Sequence, residues 1–258
     1  LKVMFSMPLY TRTVLPNGLR LILAPQKDSV ATTILVLVEA GSKYETKDIN
    51  GLSHFLEHMC FKGTAERPTA LTIASELDQI GAEYNAFTAQ EWTGYFVKVA
   101  AAKRDEALDI IADLYLNPVF EPAEIEKEKG VIIDEINMYE DLPPRRVQEV
   151  FTSLLYGDQP AGWEIGGKKE VIRTLARDHF VKYRSAHYVA QATAIVVAGS
   201  FDEDRMRARV EELFAPLSTE KKFGKVRTVE EQATPHIKLQ FKESDQTHLV
   251  LGCRAFDA

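Results

Sequence analysis

The ten residues from Gly51 to Cys60, Gly-Leu-Ser-His-Phe-Leu-Glu-His-Met-Cys, constrain this chain more than any other stretch. A helical period places His54 and His58 one turn apart on one face, with Glu57 beside them. Leu52, Phe55 and Met59 then form an apolar opposite side that can pack inward. Two imidazoles at this spacing can reach one tetrahedral zinc ion. A carboxylate three residues after the first histidine is placed to hydrogen-bond water at that metal rather than to ligate. The spacing alone also fits a pair of core histidines in a buried helix.

A catalytic zinc needs a third protein ligand and an open position for water. The acidic stretch 121–141 supplies Glu124, Glu128 and Glu135. Glu128 and Glu135 are seven apart, two helical turns, and so share a face. A solvated acidic surface is the plainer reading of those charges. The interior Gly130-Val-Ile-Ile133, however, is too apolar for a helix in free solution, so one face is expected to be buried. A carboxylate drawn into that region is costly unless it is paired or metal-bound.

Around these two helices the chain alternates strand and helix signals. Asn17-Gly18 sits between two β-prone runs over residues 14–23, a hairpin signal because both residues tolerate positive φ. Residues 32–40 read as a buried strand, and Asp48 or Asn50 is the expected cap of the His54 helix. A helix follows from Thr69 to before Gly81, then paired strands over 84–89 and 92–100. Helices are expected over 103–116, 122–139 and 143–156, with shorter ones in 168–184. A strand over 192–198 and a helix over 202–214 complete the unit. This order predicts an α+β domain, with helices packed on one face of a mostly antiparallel sheet.

Composition shifts after that point. Residues 1–215 read as one domain and 216–235 as a polar linker. Residues 236–241 and 247–253 look like a new strand pair, the opening of a second domain within 236–258. A net charge of −7 disfavours nucleic acid or an anionic membrane as partner. No run reaches the roughly 18 apolar residues of a membrane span. Two distant cysteines, Cys60 and Cys253, suit reduced thiols and a cytosolic setting. Cys60 points away from the ligand face, and His179, His187, His236 and His248 lack ligand spacing. Trp92 and Tyr95 are expected in the core.

His54-Phe-Leu-Glu57-His58, followed by Glu128 and Glu135 in Glu-Lys-Gly-Val-Ile-Ile-Asp-Glu-Ile-Asn-Met-Tyr, resembles the pitrilysin family of inverted zincins. It looks most like the branch holding the mitochondrial processing peptidase β-subunit and its bacterial relatives. Further likeness runs through Leu15-Pro-Asn-Gly18, Phe61-Lys-Gly-Thr64, residues 81–95, Tyr139-Glu-Asp-Leu-Pro143 and residues 183–199. Where the family often has Pro-x-Asn-Met, this chain has Ser185-Ala-His-Tyr188, away from the site. The resemblance implies His54, His58 and Glu135 as Zn2+ ligands and Glu57 as the base. It implies Glu128 as a carboxylate orienting a ligand histidine, and Asn85, Ala86 and Phe87 as the strand edge to which extended peptides add. The implied activity is a zinc metalloendopeptidase cleaving extended oligopeptides or targeting-type presequences; a bacterial cytosol is the expected setting, because no signal- or transit-type segment is read in the sequence. The same resemblance implies that the site is closed by a second homologous half or a partner subunit, as a homo- or heterodimer. A non-catalytic scaffold subunit of a processing-peptidase-like complex is the rival reading, against which the intact His54, Glu57, His58 and Glu135 argue.

Overall fold

The computed structural model describes residues 9–243 and 245–255. Strands β1 (Thr11–Val14) and β2 (Arg20–Pro25) form the expected hairpin, with Gly18 at φ 94° in its connection. Strands β3 (Ala31–Val38), β4 (Glu83–Thr88), β5 (Thr93–Ala100) and β6 (Thr193–Gly199) complete a six-stranded sheet in the order β1-β2-β6-β3-β5-β4. All pairings among these strands are antiparallel except β2 with β6. Along β2, β3 and β6 every second residue is buried, so one sheet face carries the core and the other stays half-exposed.

The helices are α1 (Leu52–Cys60), α2 (Ala70–Gln79), α3 (Arg104–Leu116), α4 (Pro122–Glu140), α5 (Pro143–Tyr156), α6 (Lys169–Thr174), α7 (Arg177–His187) and α8 (Glu203–Phe214). The α+β reading of the sequence therefore holds. Helix α1 packs against β4, β5, α4 and α7. Its Leu52, Phe55, Leu56 and Met59 are fully buried, each contributing roughly 1.5–3 kcal/mol relative to exposure.

The start of α1 differs from expectation. Neither Asp48 nor Asn50 caps it; the buried carboxylate of Glu45 does, accepting the backbone N–H groups of Gly51 and Ser53. Asn50 instead donates its side-chain amide to the same carboxylate. Burial pushes the Glu45 pKa up, while these hydrogen bonds pull against it. Gly51 has φ 100°, and a Cβ there would lie 2.7 Å from the Gly166 carbonyl oxygen. Only glycine lets the loop at 166–167 seat against the head of α1.

A second polar anchor fixes the segment after α1. Arg67, only 8% exposed, donates to Glu76, Asp109 and Asp113. Asp113, itself buried, also accepts from Thr64 and Asn117. Arg67→Met leaves Asp113 buried without its cation, so unfolding in urea is expected to show a loss of about 3 kcal/mol. A loss under about 0.5 kcal/mol, the scale of an ordinary surface substitution, would mean that the network is not what holds this segment.

Beyond α8 the described residues form no helix or strand. The strands expected over 236–241 and 247–253 are absent there, and Ile237, Leu239, Phe241, Leu249 and Leu251 are exposed. An isolated two-stranded hairpin is marginal in water, and nothing among the described residues pairs with these runs. The segment instead touches the domain through ion pairs: Lys222 to Glu39, Lys225 to Glu91 and Lys242 to Asp141.

Candidate metal centre

Burial of the apolar side of α1 turns His54, Glu57 and His58 toward a cleft of about 620 Å³. Helix α4 faces them. Pro122 occupies its first turn, where a missing N–H costs nothing. Ile125, Ile132 and Ile136 bury one side of α4, and that packing brings Glu128 and Glu135 against α1.

Glu135 Oε2 lies 3.6 Å from His54 Nε2 and 3.7 Å from His58 Nε2. His54, His58 and Glu135 each offer a donor atom, and the three atoms lie within 4.8 Å of one another. No other such group of His, Cys, Asp or Glu exists among the described residues. The separations are too long for hydrogen bonds. They approach the roughly 3.3 Å that two donors at about 2.0–2.1 Å adopt around a tetrahedral zinc ion. The donor set therefore fits a zinc ion.

Each donor has a partner that sets it, or none. Glu128 is 4% exposed, accepts His58 Nδ1–H at 2.9 Å and pairs with Lys62 at 2.6 Å. Burial pushes the Glu128 carboxyl up, but the bonds from His58 and Lys62 outweigh it and hold the pKa below the usual range. An ionised carboxylate only accepts, so His58 Nδ1 is the donor, and the neutral tautomer of that arrangement offers Nε2 to a metal. His54 is pushed down to about 4, first by burial and then by His58 and Arg145, against the opposing pull of Glu135. It is therefore neutral, the form that binds metals. Its Nδ1 is buried without a hydrogen-bond partner. Glu135 accepts the Tyr139 hydroxyl at 2.6 Å through Oε1.

Glu57 is 9% exposed and lies in the same cleft outside the donor triad. Burial pushes its pKa up, and the Thr88 hydroxyl, which donates to Oε2, pulls against that. Thr88 ends β4, whose only partner among the described strands is β5, leaving an open edge beside the cleft. Asn85, Ala86 and Phe87 lie on this strand and line the cleft. Asn85 folds its side-chain oxygen onto the Ala86 N–H.

Cys60 is buried against the Tyr95 hydroxyl, and its thiol is pushed up to about 11 by burial. Tyr95 is in the core as expected, whereas Trp92 is 47% exposed. Trp92 falls in the short connection between β4 and β5, outside both strands. His187 is buried against Tyr183, and His179 accepts the Ala176 N–H at the start of α7. Sequence reasoning missed Lys62, Thr88, Tyr139 and Arg145. Tyr139 stands four residues after Glu135 on α4, a helical spacing that pointed to it, whereas Lys62 lies past the end of α1 and reaches across to Glu128.

Fold and cleft together define an α+β domain with three donor atoms gathered between two helices, a candidate metal centre. The chain belongs to the insulinase family, peptidase family M16, whose model matches residues 21–169. A second model, the peptidase M16 inactive domain, matches residues 174–258. The uncharacterized zinc protease YmxG of Bacillus subtilis is 36% identical over 242 residues, covering 93% of this chain and 58% of the relative. An uncharacterized zinc protease of Rickettsia felis is 38% identical over 240 residues, covering 92% and 57%. The chain thus spans little more than half the length of these relatives. A protease structure from Helicobacter pylori superposes with a TM-score of 0.80 at 21% identity, covering 88% of this chain and 55% of that one. The first half of the periplasmic protease PqqL of Escherichia coli gives 0.78 at 21%, covering 86% and 49%. No helix among the described residues is long and apolar enough to cross a membrane.

Proposed function

We propose that this chain is the catalytic half of a zinc metalloendopeptidase acting on extended peptides. The observation that carries the reading is the convergence of His54 Nε2, His58 Nε2 and Glu135 Oε2, with Glu57 beside them in one cleft. His54, His58 and Glu135 are the ligands of this reading. Zinc, once bound, supplies Lewis-acid polarisation of the scissile carbonyl and acidifies the attacking water. Glu57 takes a proton from that water and later delivers it to the leaving amine. Thr88 holds the Glu57 carboxylate by one oxygen and leaves the other for the proton. The open edge of β4, at Asn85, Ala86 and Phe87, receives the peptide backbone as an added strand. Such binding reads backbone more than side chains, which suits oligopeptides of varied sequence or targeting-type presequences.

The second half that closes the cleft is a homologous domain or partner chain, supported by relatives nearly twice as long as the matched region. A bacterial cytosolic setting suits two free thiols, one of them exposed. The test measures zinc per chain and cleavage of quenched fluorescent peptides, with the second half present. About one zinc per site, activity lost on chelation and activity restored by zinc are the expected results. A zinc-free, inactive protein would favour the scaffold-subunit reading.

Glu128 is the orienting carboxylate of this scheme, because its bond to Nδ1 fixes the His58 tautomer. Glu128→Ala is expected to weaken zinc binding about 10–100-fold, measured by chelator competition. Unchanged affinity would reduce Glu128 to a partner of Lys62.

A further inference from the structure

We infer that Tyr139 is a positioning residue that holds Glu135 to single-oxygen coordination; this rests on the reading of His54, His58 and Glu135 as zinc ligands. Tyr139 lies one turn beyond Glu135 on α4 and donates its hydroxyl to Oε1 at 2.6 Å. The other oxygen, Oε2, faces His54 Nε2 at 3.6 Å and His58 Nε2 at 3.7 Å. The two carboxylate oxygens therefore have separate partners. An untethered carboxylate can turn and offer both oxygens to one cation. With Oε1 committed to the phenol, a single oxygen meets the two imidazoles. Three single-atom ligands leave a tetrahedral ion one position for water, whereas a bidentate carboxylate fills it.

The ring of Tyr139 is itself held. Helix α4 ends at Glu140, and Pro143 opens α5 after a turn at Asp141 and Leu142. That reversal carries Arg145 back over the ring, where its guanidinium stacks. Arg145 is tethered by Glu149 one turn along α5, at 3.8 Å. A cation on the ring face withdraws electron density and makes the hydroxyl a stronger donor. It also fixes the ring plane, and with it the direction of the O–H bond toward Oε1. Tyr139 and Arg145 both line the cleft, so this brace stands beside the reacting groups.

Tyr139→Phe keeps the ring and its contact with Arg145 and removes one hydroxyl. Zinc affinity by chelator competition is expected to fall about 10–100-fold, the cost of losing an outer partner of a metal ligand. The thermal midpoint of the metal-free protein should not move. In the cobalt-loaded variant, the visible absorption should lose intensity as coordination rises from four toward five. Wild-type zinc affinity together with an unchanged cobalt spectrum would overturn the positioning role and leave the metal centre standing. A wild-type protein without zinc affinity would instead overturn the metal reading, and this inference with it.

Discussion

Glu57→Gln is expected to keep zinc stoichiometry and fold while cutting peptide turnover by about 10²–10⁴-fold, the usual range for loss of a general base. The two side chains have nearly the same shape, so the pocket between α1 and β4 is preserved. The amide oxygen can still accept the Thr88 hydroxyl that holds Glu57 in place. What disappears is the capacity to take a proton. Burial raises the pKa of Glu57, which makes its carboxylate a better base than an exposed glutamate would be. The decisive comparison is kcat on quenched peptides beside zinc per chain, for variant and wild type. Normal turnover would remove Glu57 from the proton path. Loss of zinc would show that it is a ligand.

The parts of the site carried by helices were legible because helical spacing is a local property. His54, Glu57 and His58 fall within one turn, and Glu128 and Glu135 within two, so their faces followed from counting residues. The hairpin at Gly18 and most helix positions were legible for the same reason. What stayed hidden depends on contacts between distant segments. Strand β6 lies between β2 and β3 and pairs in parallel with β2, from Arg20 opposite Ala194 onward. No local pattern announces that insertion. The cap of α1 comes from Glu45, outside the helix start, because a buried carboxylate there collects two backbone donors and the Asn50 amide together. Thr88 reaches Glu57 only because β4 ends beside α1. The apolar alternation at 237–241 signals a strand correctly in pattern, yet a strand needs a neighbour, and none stands there among the described residues.

Glu135→Ala is expected to weaken zinc binding by more than the roughly 10–100-fold assigned to an outer partner such as Glu128. It removes one of three donor atoms rather than an orienting bond. The fold should tolerate the change. Glu135 keeps 23% side-chain exposure, and the Tyr139 hydroxyl it releases lines the cleft. Stability of the metal-free protein should therefore shift by no more than about 1 kcal/mol. Zinc per chain after dialysis against a weak chelator separates the alternatives. Unchanged zinc would exclude Glu135 as the third ligand. Among the described residues no second group of three such donors is assembled, so the third ligand would be another carboxylate of the cleft, Glu57 first, or a donor from outside the described residues. Lost zinc with an intact fold would leave His54 and His58 as an insufficient pair, because two imidazoles on one helix lack the third donor that holds a catalytic zinc.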